Sequence, residues 1–177
     1  MKKIYIALIL VTLVSSSFAQ VKSTVTKSSV TFKIKNLGIN ATGNFSGLQA
    51  TIQFKPTDLA NSSIEGSVDA GSVNTENSMR DSHLKGADYF DVATYPKITL
   101  KSVSFKQKSS GNYIGSFNVT IKDKTKLIDV PFTYAESGST AVFNGSFTIN
   151  RADFGIGSKN MVLSDEATVT VSAQISK

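Results

Sequence analysis

The chain has 177 residues, no cysteine, no tryptophan and a formal charge of +6. That length suits one domain with a substantial core, and the missing cysteines exclude disulfides, thiol nucleophiles and Cys-based metal sites. The lysines are scattered rather than gathered into a basic patch with interleaved aromatics, which argues against a nucleic-acid partner. In chain order the first segment reads as a leader. Lys2 and Lys3 precede an apolar run from Ile4 to Val14, broken only by Thr12, and small residues follow to Ala19. Ser17 and Ala19 fit the −3 and −1 positions of a signal-peptidase site. The expectation is therefore a bacterial signal peptide over residues 1–19, cleaved after Ala19, and a periplasmic or secreted domain over 20–177. The apolar run is shorter than the ~20 residues that cross a bilayer, so no stable membrane insertion is expected.

The remainder alternates with a period of two. Val30, Phe32 and Ile34 begin the pattern, and it returns in Ala50-Ile52-Phe54 and Ile64-Val68-Ala70. Later runs are Phe117-Val119-Ile121, Ile128-Val130-Phe132-Tyr134, Phe143-Phe147-Ile149 and Val169-Val171-Ala173-Ile175. Each has one apolar and one polar face, the mark of a half-buried strand. Turn-forming clusters separate them at Asn44–Gly47, Lys55–Asp58, Ser109–Asn112, Lys122–Lys126 and Glu136–Ser139. The pattern predicts roughly eight antiparallel strands curled into a barrel or a sandwich. One stretch, Asn77 to Leu84, lacks β-branched residues and predicts a short helix over one end, with Met79, His83 and Leu84 on one side.

The candidate chemistry is thin. His83 is the single histidine, and no Gly-x-Ser-x-Gly elbow accompanies it. Asp81, His83, Asp88 and Asp91 show no recognised metal-ligand spacing. The reading they support is structural: Arg80, Asp81 and His83 tie the helix and its loop to the rim through hydrogen bonds and charge pairs. Gly155-Ile156-Gly157 lacks the Lys-Ser/Thr ending of a phosphate loop, so these glycines are expected to supply unusual backbone angles or a close approach. No catalytic residue, metal or cofactor is assigned. A barrel of this size either fills its interior with side chains or leaves room for one small ligand. Periodicity does not separate the two, and composition favours the filled interior.

The stretch from Val68 to Val92, read with Tyr95–Ser102 and Phe147–Gly157, resembles the signature of the YceI-like family. The resemblance covers essentially all of the chain after the leader. It implies a lipocalin-like antiparallel β-barrel in which a polyisoprenoid, or a similar long-chain amphiphile such as a fatty-acyl lipid, lies in an elongated apolar tunnel. It also implies a periplasmic or secreted location and no catalysis. Two segments depart from the family pattern. Asn36-Leu37-Gly38 stands where many members have His-Leu-Gly, and Ile121-Lys122-Asp123-Lys124-Thr125 replaces a common Lys/Arg-Gly turn. The first departure bears on a polar contact near the tunnel mouth.

The alternation places Phe32, Ile34, Ile52, Phe54, Val68, Phe117, Val119, Phe132, Phe143, Phe147 and Val169 on the inner face, as candidate ligand contacts. Phe45, Met79, Phe90 and Phe154 are candidates at the ends. Two other functions compete with lipid carriage: a filled barrel acting as an envelope interaction module, and a lipid hydrolase or isomerase with His83 as general base. Exposed strand edges or apolar tunnel mouths are the surfaces on which a homodimer would form.

Overall fold

The computed structural model describes residues 23–158 and 162–176, so the leader and its cleavage point lie outside the described residues. Nine strands are present among them: β1 (Thr24–Asn36), β2 (Ile39–Phe45), β3 (Gln49–Gln53), β4 (Ser63–Asp69), β5 (Lys97–Ser109), β6 (Asn112–Ile121), β7 (Lys124–Ser137), β8 (Thr140–Asn150) and β9 (Leu163–Ser176). One helix, α1 (Ser78–Lys85), interrupts the series. All pairings are antiparallel, in the order β2-β1-β9-β8-β7-β6-β5-β4-β3. The fold is thus all-β, a single sheet curled on itself.

Tight hairpins join β1 to β2, and β5 through to β8, so neighbours in sequence become neighbours in the sheet. Long β1 returns beside β9, which brings the first and last strands together. Curling then carries the lower half of β1 toward β3 without a ladder between them. Higher up, β2 meets the segment after β4 through one isolated bridge, Asn44 with Asn74. The expected barrel of about eight strands is therefore a nine-stranded curl with a seam between its two edge strands.

Side chains on the inner face form the core. Alternate residues of β6 and β7 are buried, from Tyr113 to Ile121 and from Val130 to Tyr134. β5 changes parity part-way. A register shift between Ser102 and Ser104 opposes Ser102 to Phe117 and Phe105 to Gly115, so Val103 faces solvent while Phe105 turns inward.

Asn77 caps α1 by accepting a hydrogen bond from the Arg80 amide at 2.9 Å. The helix and a 3-10 turn at Arg151–Phe154 sit at the same end of the curl, where β1, β6 and β8 finish. We call this end the mouth. The opposite end holds the β5–β6 and β7–β8 turns.

Candidate ligand-binding site

Two chambers lie inside the curl. The lower one, of about 150 Å³, is lined almost entirely by apolar groups, among them Ile52, Phe117, Val130, Phe132, Phe143 and Val171. The upper one, of about 450 Å³, opens toward the mouth and is lined by Phe32, Ile34, Phe45, Phe90, Ile121 and Ile149 with several polar groups. Both chambers touch Val30, Val68, Ile98, Val119, Phe147 and Val169. These six residues come from six different strands and form a waist. Together the chambers fall within the 300–1,000 Å³ usual for small-molecule sites.

The end away from the mouth is stoppered by aromatic rings. Phe54 contacts Phe105, Tyr113, Phe132, Tyr134 and Phe143 with centroid separations of 4.9–5.6 Å. Tyr134 donates a hydrogen bond to Glu136. Burial, first, and the Glu136 carboxylate beside it hold the Tyr134 hydroxyl well above its ordinary pKa, so it stays protonated.

Polar residues collect at the mouth, where they hydrogen-bond to one another and to the backbone. The Thr75 amide and hydroxyl both donate to Asp81 Oδ1, at 2.8 and 2.5 Å. Arg80 Nε donates to the Thr75 hydroxyl and Nη2 to the Thr75 carbonyl, each at 2.7 Å. Arg151 is buried, and its guanidinium makes five contacts: to the carbonyls of Ile156, Ser158, Leu163 and Ser164, and to Asp165 Oδ1 at 3.0 Å. That fork fixes the backbone on both sides of residues 159–161. Lys122 Nζ donates to the carbonyls of Ala87 and Gly155, joining the loop after α1 to the loop after the 3-10 turn. Among the described residues no buried side-chain polar atom lacks a partner.

The inner-face expectations divide as follows. Ile52, Phe117, Phe132 and Phe143 line the lower chamber; Phe32, Ile34, Phe45 and Phe90 line the upper one; Val68, Val119, Phe147 and Val169 belong to the waist. Three residues stand elsewhere. Met79 is 83% exposed, because the helix turns Arg80, His83 and Leu84 to the chamber and leaves Met79 ~140° around from Leu84. Phe54 is part of the stopper and borders neither chamber. Phe154 is 1% exposed and packed in the core beside the mouth, also outside both linings.

Residues that the reading missed include Ala50, Ile64, Leu100 and Ala173 below, and Ala41, Tyr89, Ile156 and Leu163 above. The alternation could have supplied Ala50, Ile64 and Ala173, which occur in the same strand runs. The loop residues carried no such signal. Asn36, the residue at the departure from the family pattern, lines the upper chamber.

Arg80 and Asp81 tether the helix as expected, but through Thr75 rather than through charge pairs. His83 makes no side-chain hydrogen bond among the described residues and instead packs edge-on against Tyr89 at 4.8 Å. The described residues contain no group of three His, Cys, Asp or Glu able to hold a metal ion. Gly155 and Gly157 both have left-handed backbones, at φ +64° and +67°, and a Cβ at Gly157 would lie 3.0 Å from the Tyr89 ring.

With this geometry in place, comparison with known proteins gives a consistent answer. The family model described as a YceI-like domain matches residues 22–175. A UPF0312 protein of Vibrio cholerae is 29% identical over 136 residues, covering 73% of this chain and 72% of the relative. The crystal structure of Burkholderia cenocepacia BcnA aligns with a TM-score of 0.80 at 27% identity, covering 83% of this chain and 95% of that one. A Saccharophagus degradans domain described as polyisoprenoid binding, and implicated in plant cell wall breakdown, aligns with a TM-score of 0.71 at 16% identity, covering 88% and 98%. That last likeness is one of fold.

Proposed function

This chain belongs to the YceI-like family, and on that premise we propose that it binds a long-chain apolar lipid inside the curled sheet. The ligand class is an isoprenoid or fatty-acyl chain, carried or stored without chemical change in the periplasm or outside the cell. The observation that carries this reading is the pair of chambers abutting at an apolar waist. A filled interaction module would have side chains in that space. Each buried methylene of a ligand contributes about 0.8 kcal/mol, so a long chain needs few polar contacts. The likeness in fold to a polyisoprenoid-binding domain adds support.

The polar groups at the mouth suit orientation of a head group better than catalysis. Arg151 has its donors engaged by the protein, and among the described residues His83 has no hydrogen-bonded partner to orient it as a base. The location rests on the leader-like segment.

The test is mass spectrometry of a solvent extract from protein purified out of a bacterial periplasm, followed by titration of the emptied protein with prenyl alcohols and fatty acids. A stoichiometric isoprenoid or acyl compound is expected in the extract, with saturable uptake in the titration. A clean extract together with no uptake of either class rejects the reading.

A further inference from the structure

We propose that the tip of the β1–β2 hairpin is a membrane-docking element that seats the mouth of the upper chamber on an anionic lipid bilayer. Its purpose rests on the lipid-binding reading above, but its test does not.

Leu37 and Ile39 are each 74% exposed, and both stand at this tip. The Leu37 amide donates to the Val162 carbonyl at 2.8 Å, and Val162 is itself 47% exposed while lining the upper chamber. Three apolar side chains are thus presented to solvent on the rim of an apolar chamber.

The backbone at the tip reinforces the point. Leu37 and Gly38 both have positive φ, +50° and +79°. A two-residue hairpin turn with both centres left-handed ordinarily takes Asn, Asp or Gly at its first position. A leucine there bears conformational strain, and its exposed side chain returns no core packing. Neither folding nor solubility accounts for it.

Size and charge decide the occupant. Three side chains fall well short of the roughly 800 Å² per partner that a stable protein interface buries. They suit shallow, reversible insertion at the boundary between head groups and acyl chains, where a small apolar area acts together with attraction to anionic lipids. The hairpin between Lys33 and Asn40 carries Lys33 and Lys35, both exposed, and no carboxylate. Lysines beside inserted apolar groups lay their stems on the surface and meet anionic head groups. An apolar chain leaving the bilayer at this point enters the chamber with little exposure to water.

The experiment uses unloaded protein and vesicles of phosphatidylglycerol and phosphatidylethanolamine. The chain has no tryptophan, so Leu37→Trp is a sole indole reporter. Its emission is expected to shift to the blue on adding these vesicles, and to shift less with phosphatidylcholine alone. The double variant Leu37→Ser/Ile39→Ser, altered only at exposed positions, is expected to co-float with vesicles roughly tenfold less than wild type while melting normally. An unshifted emission, or undiminished flotation of the double variant, overturns the proposal. So does self-association through the tip without vesicles, which would make a second copy the occupant. Because cargo is absent throughout, failed lipid uptake by wild type counts against the proposed function alone.

Discussion

Replacing Val169 with phenylalanine should shorten the chain that the protein can hold. Val169 lies at the waist, opposite Phe32 on β1 and Phe147 on β8. Along β9 the lower chamber runs from Val169 to Ala173. At about 3.3 Å per residue and a barrel tilt near 40°, this is a depth of ~10 Å. A staggered carbon chain advances about 1.25 Å per bond, so roughly eight carbons lie below the waist. At ~0.8 kcal/mol per methylene their burial is worth at most about 6 kcal/mol. Ordering of the chain and imperfect contact reduce this to ~3 kcal/mol, about a hundredfold in Kd.

The assay is a titration series of prenyl alcohols differing by one isoprene unit, against wild type and Val169→Phe. Wild-type affinity should climb with length until both chambers are filled. The variant should match it for short chains and reach its plateau about two isoprene units earlier. Added bulk also costs about 1–3 kcal/mol of stability, so a melting curve must show the variant folded. Parallel length dependence in a folded variant would refute the assignment of the lower chamber to the chain end.

Three other outcomes follow from the geometry. Arg151→Met should destabilise the fold by about 3–5 kcal/mol in denaturant titration, because Asp165 and four carbonyls lose their shared donor; a loss below about 1 kcal/mol would show that the fork is dispensable. Gly43→Ala would place a Cβ 2.4 Å from Phe32 Cζ and 2.8 Å from Thr75 Cγ2. It should cost about 1–3 kcal/mol and weaken ligand uptake by driving Phe32 into the upper chamber, and unaltered uptake would mean that the ring yields elsewhere. Tyr134 is held protonated in the folded protein by burial and by Glu136. Above pH 10 the unfolded chain therefore loses a proton that the native state keeps, and stability falls as pH rises. Tyr134→Phe should flatten that fall, and an identical high-pH decline in both proteins would exclude Tyr134 as its source.

What the sequence reveals depends on whether one face of an element is buried along its whole length. The alternation in β6, β7 and β9 is legible because their inner residues meet a core throughout. In β2 Ala41, Thr42 and Phe45 line the chamber, a set without a period of two, and the strand is an exposed edge, so Asn44–Gly47 reads as a turn although Asn44 and Phe45 are still paired to β1. In β5 the shift at Ser102–Ser104 moves the inner set from even to odd positions, and the period disappears from the sequence. The lack of β-branched residues from Asn77 to Leu84 identifies α1, but its inward face is fixed by Thr75 gripping Arg80 and Asp81, a local contact without periodicity. Phe54 obeys the alternation and directly follows β3, yet only its five ring neighbours make it a stopper. The waist requires the register of six strands at once.

The seam gives the curl a property that fully laddered barrels lack. In a closed barrel, strand number and shear fix the diameter, and widening it means breaking a whole row of hydrogen bonds. Here the upper edge is latched by two backbone bonds between Asn44 and Asn74, at 2.8 and 3.0 Å, with Ser46 and Ser72 bonded beside them. Phe32, Phe45 and Phe90 lie against one another just inside this latch. The girth around the upper chamber is therefore an elastic quantity, set by a few bonds and three rings, and a methyl-branched tail can be accommodated by spreading the wall without unravelling a strand.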